Sequence, residues 1–257
     1  MRHGRFDTDT VALEKRIRAH ERYGSYDLNE WVFDLLRPEK GMLVLDLGCG
    51  TGKQTLPLAQ IVGDSGNVFA IDISQEALEV LSQNVKRLGL EESITMRCIG
   101  FDDIGKYFQN EQFDRVLASY SMYYAQCPRA VLEAVHHTLK DHGILFFCGP
   151  AKENNLELKQ FHYSLLGQRP PIGTKASTFM EEIGQRLVQE FSTSVERFAF
   201  ENPLRFDSAE ALYAYWTSYN LFDRSLDDKF KAAVHRYFQS HSFFKTVKRA
   251  IGIRAIK

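Results

Sequence analysis

Apolar residues recur at helical spacing near the start of the chain, where Val11, Leu13 and Ile17 share one face, and again from Leu28 to Leu36 ahead of Pro38. The pattern then changes. Residues 42–48 are a short run apolar on both faces, as a buried parallel strand requires. A helix over 55–61 and a second strand over 68–72 follow, joined by the glycine turn at 63–67. Ser74 is placed to cap a further helix, whose Leu78, Leu81, Val85 and Leu88 form one stripe before Gly89 ends it. Strands are expected at 94–100 and 113–119 and, after a helix over 128–139, from Gly143 through the run ILFFCG. Strands alternating with helices predict an α/β fold, doubly wound around a mainly parallel sheet, with ligands at the carboxyl ends of the strands.

Beyond Pro150 the rhythm loosens. A polar stretch and several glycines and prolines lead to a helix over 177–191, a strand at 195–200, an aromatic helix over 208–223 and a last strand over 247–256. The expected organisation is a single domain, 1–257, with N-terminal helices at 1–40 and a ligand-binding core at 41–150. A helical cap with insertions around the sixth strand fills 151–245 in the C-terminal half, and the final strand is 246–257.

Charge narrows the partners. Thirty-two basic and 33 acidic residues leave a net charge of -1, too little for a field that gathers nucleic acid or an anionic membrane, so a small-molecule partner is expected. The basic carboxyl end, with Lys245, Lys248, Arg249, Arg254 and Lys257, fits a solvated strand face. Cys49, Cys98, Cys127 and Cys148 show neither CxxC pairing nor zinc-ligand spacing; they read as reduced, mostly buried thiols, and no metal is expected. The opening residues lack the apolar stretch of a signal peptide and no run is long enough to span a membrane, so a cytoplasmic location is expected.

The strongest chemical signal is DLGCGTGKQ at 46–54, where a strand feeds Gly48, Gly50 and Gly52 and then a helix. Glycines there let a ligand approach bare main chain. A dinucleotide fingerprint would place its third glycine at Lys53, and a phosphate-binding loop would need glycine at Leu47 and Ser or Thr at Gln54. Asp46, just before the loop, repels a pyrophosphate and suits a cation.

The D-x-G-x-G-x-G pattern with its strand resembles motif I of class I, Rossmann-like S-adenosylmethionine-dependent methyltransferases of the small-molecule type. The resemblance covers roughly residues 40–150. It implies a seven-stranded methyltransferase-like sheet, S-adenosyl-L-methionine as cofactor, and roles for several residues. Asp46, Gly48, Gly50 and Gly52 would cradle the amino-acid end. Asp72, ending the second strand, would take the ribose hydroxyls, with Ile73 beside it. Phe101 and Asp102 would flank adenine, although the family's glycine-acid pair is here Gly100-Phe101, which displaces the acid to Asp102 or Asp103. Main chain near Ser119 and Tyr120, after the fourth strand, would line the cofactor.

Methyl transfer from a sulfonium asks mainly for alignment, desolvation and sometimes a base. Candidates for that last task are Tyr124, past strand four, and His162, in the insertion after strand five. Candidates to meet the acceptor are Tyr23 and Tyr26 between the leading helices, Tyr123, Asn154, and Tyr215 or Trp216 on the aromatic helix, where packing is the competing use. The expected activity is methyl transfer to an oxygen or nitrogen, with carbon as a further option, of a small molecule. An NAD-dependent oxidoreductase, which Asp72 would allow and Lys53 disfavours, and a non-catalytic S-adenosylmethionine-binding protein are the rival readings.

Overall fold

The computed structural model of the protein describes residues 10–108 and 113–257. Seven strands form one sheet in the order β3-β2-β1-β4-β5-β7-β6: β1 (Leu43–Leu47), β2 (Asn67–Asp72), β3 (Ile94–Cys98), β4 (Phe113–Ser119), β5 (Leu139–Pro150), β6 (Ser194–Phe206) and β7 (Phe244–Ile256). The first five are parallel, and β7 pairs antiparallel with β5, Ile144 opposite Ile256 and Pro150 opposite Ala250. Strand order reverses between β1 and β4, which creates the crevice where such sheets bind ligands.

The chain divides into two compact units, each assembled from three segments. The larger comprises, among the described residues, those of 28–152, 173–200 and 250–257. Its helices include α2 (Leu28–Leu36), α3 (Thr55–Val62), α4 (Gln75–Leu88) and α6 (Pro128–Thr138), with a short α5 (Ile104–Tyr107) after β3. One core layer gathers Val32, Leu36, Val44, Leu58 and Leu81; the other gathers Leu45, Val116, Leu132, Phe147 and Ile253. Local chemistry sets the helix ends: the Ser74 hydroxyl accepts from Ala77 N at 3.2 Å, and Gly89 closes α4 in the left-handed region at φ 66°.

The smaller unit comprises, among the described residues, 10–27, 153–172 and 201–249. It contains α1 (Thr10–Tyr23), α7 (Leu156–Ser164), α10 (Ala209–Thr217) and α11 (Asp227–Phe238) around an aromatic core of Phe206, Tyr215, Trp216, Phe230 and Phe244.

These divisions differ from the expected ones. α1 shares the aromatic core through Ala19 and Tyr23, whereas α2 packs on the sheet, so the leading helices do not form one segment. Residues 173–200 rejoin the sheet unit because Phe179, Met180 and Val188 are buried in its core. The helix expected over 177–191 is broken into α8 (Lys175–Thr178), a π turn (Phe179–Ile183) and α9 (Gly184–Gln189). A Cβ at Gly184 would lie 2.9 Å from the Phe147 ring, a close approach that the wider turn accompanies. α7 lies where a polar stretch was expected and α11 in a segment given no element; α7 buries Leu158, Lys159 and His162, and α11 buries Phe230 and Val234. Two of the four thiols, Cys98 and Cys127, are exposed rather than buried, and all four cysteines are unpaired by disulfides.

Candidate active site

At the carboxyl end of β1 the chain turns through Gly48, Gly50 and Gly52, all with positive φ of 73°, 55° and 93°. Two of these positions exclude any side chain. A Cβ on Gly48 would lie 2.5 Å from Ser121 Cβ, and one on Gly52 would lie 2.4 Å from Leu81 Cδ1. The loop is fixed by its neighbours: Gly48 N and Cys49 N both donate to Ile71 O on β2, at 2.8 and 3.0 Å. The Ser121 hydroxyl donates to Leu47 O at 2.5 Å, tying the segment after β4 to the start of the loop.

Two carboxylates flank this turn. Asp72, at the end of β2, accepts from Gly50 N through Oδ2 and from Ser74 N through Oδ1, each at 2.8 Å. Both oxygens are thereby oriented, and each retains a lone pair for a further hydroxyl donor. Asp72 is therefore not the cap of α4, a role that Ser74 fills.

Asp46 lies beneath the loop, 2 % exposed. Its Oδ2 accepts from the Thr55 hydroxyl at 2.6 Å. Burial pushes its pKa up to about 7, with the Thr55 hydrogen bond opposing and the Asp72 charge adding to the rise. The same burial and the same two acids hold the Cys49 thiol well above its usual range.

Just past β2, Ile73 presents an apolar surface at 54 % exposure, and past β3 the half-buried Phe101 ring reaches toward Gly48, its Cζ 3.3 Å from where a Cβ would stand. Asp102 is exposed, while the Asp103 carboxylate pairs with Lys106 Nζ at 2.7 Å. After β4, Tyr120 takes a left-handed conformation at φ 57°, with its N–H on Cys148 O at 2.8 Å, and the Ser119 hydroxyl lies 3.6 Å from Cys148 Sγ. Tyr123 is buried with its ring against Gly149, Tyr124 is exposed, and their ring centroids are 4.7 Å apart.

In the smaller unit the expected acceptor residues are mostly interior. Trp216 is fully buried, stacked on Phe230 at 3.9 Å, and its indole N–H donates to His162 Nδ1 at 3.2 Å. That corrects the readings of Trp216 as a pocket wall and of His162 as a base: the imidazole is buried, serves the indole as acceptor, and is shifted below its ordinary pKa by burial, with Asp223 opposing. Tyr215 is likewise buried, its hydroxyl between His20 Nε2 at 3.1 Å and Asn155 Nδ2 at 2.9 Å. Asn154 uses both ends of its amide internally, accepting from Arg249 N at 3.0 Å and donating to the Tyr219 hydroxyl at 3.3 Å. Tyr23 packs on Phe206, centroids 4.9 Å apart. Tyr26 is exposed, while Asn202 grips its main chain.

Thr55, Ser121 and Asn29, which shape the loop, carry no motif in the sequence. The one available signal is that Thr55 opens the helix directly after the glycines.

These residues suit an adenosyl cation better than a phosphate. Two carboxylates bracket the turn, one positioned for a diol and one buried where a positive group would hold it ionised, with an apolar ledge at Ile73. A family model described as "Methyltransferase domain" matches residues 38–190, more than half of the chain. The chain belongs to the methyltransferase-domain family. S-adenosylmethionine is the methyl donor that this membership implies.

The domain is 36% identical over 81 residues to the "Probable cobalt-precorrin-6B C(15)-methyltransferase (decarboxylating)" of Thermoplasma acidophilum, covering 32% of this chain and 39% of that protein. It is 28% identical over 137 residues to the demethylmenaquinone methyltransferase of Geobacillus stearothermophilus, covering 52% of this chain and 57% of that one. The matches thus span 39% and 57% of these relatives' length. Among solved structures, YcgJ protein from Bacillus subtilis shares the methyltransferase-domain fold with a TM-score of 0.61 at 17% identity, covering 89% of this chain and 97% of that one.

Proposed function

We propose that this protein binds S-adenosylmethionine at the carboxyl ends of β1 to β3 and transfers its methyl group, by in-line displacement, to an oxygen, nitrogen or carbon of a small molecule. The observation that carries the reading is the triple-glycine turn held against two carboxylates, Asp46 and Asp72. The cofactor supplies a methyl already activated by its sulfonium, so the protein's work is binding, orientation and exclusion of water. In this reading Asp72 takes the ribose diol, Ile73 and Phe101 hold the adenine, with Asp102 at its edge, and Asp46 balances the positive end. Main chain at Ser119 and Tyr120 borders the cofactor, and the exposed phenol of Tyr124, beside Tyr123, is the group available to orient or deprotonate an acceptor.

Both relatives are named for methyl transfer, one of them at a carbon, C(15), which supports keeping carbon among the acceptor atoms. The net charge of -1 supports a small acceptor over nucleic acid. Among the described residues no helix is long and apolar enough to cross a membrane, which is compatible with a reaction in the cytoplasm.

Calorimetric titration with S-adenosylmethionine, S-adenosylhomocysteine and NAD in parallel tests this. Binding of the first two in the micromolar range, without NAD, is expected. Binding of NAD alone would make the chain an oxidoreductase, and cofactor binding with no turnover across an acceptor screen would favour a non-catalytic role.

A further inference from the structure

In the turn that follows the glycines, Pro57 lies in the first turn of α3 and has no N–H, so it offers no donor to the carbonyl of Lys53, which stands four residues earlier and just before the N-cap. Gln54, at the N-cap position, provides no side-chain cap. One residue engages both Lys53 and Gln54. Asn29, in the first turn of α2, donates from Nδ2 to Lys53 O at 3.0 Å and accepts from Gln54 Nε2 through Oδ1 at 2.9 Å. Because a carbonyl only accepts and an amide nitrogen only donates, this pairing is consistent with one orientation of each amide alone.

α2 is a firm base for such a contact. Trp31 packs on Phe146 and Phe200 with centroids 5.5 and 5.0 Å away, and Val32 and Leu36 are fully buried against the sheet. The loop is thus held at its entrance by Ser121 and at its exit by Asn29.

We propose that Asn29 is a positioning residue for cofactor binding: its carboxamide, anchored through α2, holds Lys53 and Gln54 so that the Gly48–Gly52 main chain keeps the curvature that receives the cofactor. This rests on the functional reading above. Asn29 touches no reacting atom and acts through the loop.

The test uses the full chain, titrated calorimetrically with S-adenosylhomocysteine, together with thermal melting and amide hydrogen exchange. Asn29→Ala removes both hydrogen bonds and is expected to weaken binding roughly tenfold, the scale of one to two lost hydrogen bonds. Asn29→Asp separates positioning from stability. Its carboxylate can still accept from Gln54 and suits a first helical turn, which offsets part of the stability lost with the other hydrogen bond, yet it cannot donate to Lys53 O. Affinity is therefore expected to fall in this variant with a smaller loss of melting temperature than in Asn29→Ala. Exchange at residues 50–56 should quicken in both variants without ligand. Affinity within twofold of the unaltered protein in both variants, or unchanged exchange over 50–56, overturns the proposal. If the unaltered protein binds neither S-adenosylmethionine nor S-adenosylhomocysteine, the functional reading fails instead, and Asn29 then has no cofactor to position.

Discussion

Burial raises the pKa of Asp46 to about 7, and on the proposed reading the cofactor's positive charge would draw it back down. With its pKa near 7 in the folded chain and an ordinary value of 3.8, the folded state keeps the proton over an interval in which the unfolded chain has lost it. Stability therefore falls as pH rises from about 4 to about 7, by up to about 1.4 kcal/mol per pH unit, and is flat above. Asp46→Asn is expected to remove that slope, which denaturant unfolding at pH 5 and pH 7.5 would measure. Binding runs the other way: affinity for S-adenosylmethionine should strengthen as pH rises through 7, with proton release visible as a buffer-dependent calorimetric heat. An affinity independent of pH would separate Asp46 from the cofactor. Asp72→Ala is expected to weaken S-adenosylmethionine binding by about 1–3 kcal/mol through lost hydrogen bonds to the ribose. The same titration decides it, since an unchanged affinity would leave Asp72 a purely internal acceptor for Gly50 N and Ser74 N.

Among the elements, α10, which fills only 209–217 of the helix expected over 208–223, shows how a helix can be recognised and given the wrong task. Trp216→Ala would empty the space facing Phe230 and strip His162 of its donor, at a cost of about 3–5 kcal/mol in chemical denaturation. Cofactor affinity in that variant, measured where it remains folded, should be unchanged. The sequence showed Leu212, Tyr215, Trp216 and Tyr219 at helical spacing, but spacing reports a shared face and not what covers it. Only the tertiary partners, Phe206 on Tyr215 and Phe230 on Trp216, distinguish an interior seam from a ligand wall. The strands of the sheet were legible where burial on both faces makes a continuous apolar run, as over 144–148 in β5, and β4 has the bounds expected for it, 113–119. α7 was not, because a polar run and the left-handed Asn155 precede it and one narrow stripe is all it buries. At the loop, the glycines and their two acids announced themselves through backbone and charge requirements. Asn29 did not, since its partners lie 24 and 25 positions away.

At the scale of the whole molecule, ligand binding should stabilise the sheet unit through mass action. Saturation with S-adenosylhomocysteine at 100 times its dissociation constant is worth about 2.7 kcal/mol. The slowest-exchanging amides of residues 28–108 should slow by roughly a hundredfold, the equivalent of that energy. Protection confined to the loop itself would instead indicate local ordering. The sheet order has one more consequence, in the time domain of synthesis. β6 emerges from the ribosome before β7, yet β7 is the neighbour that joins it to β5. Until residues 244–256 are made, β6 has no strand to pair with, and the apolar flank of β5 has lost its cover. A nascent chain stalled between them would therefore carry two unmatched strand edges, the state in which binding by a chaperone or association with another nascent chain has most to gain.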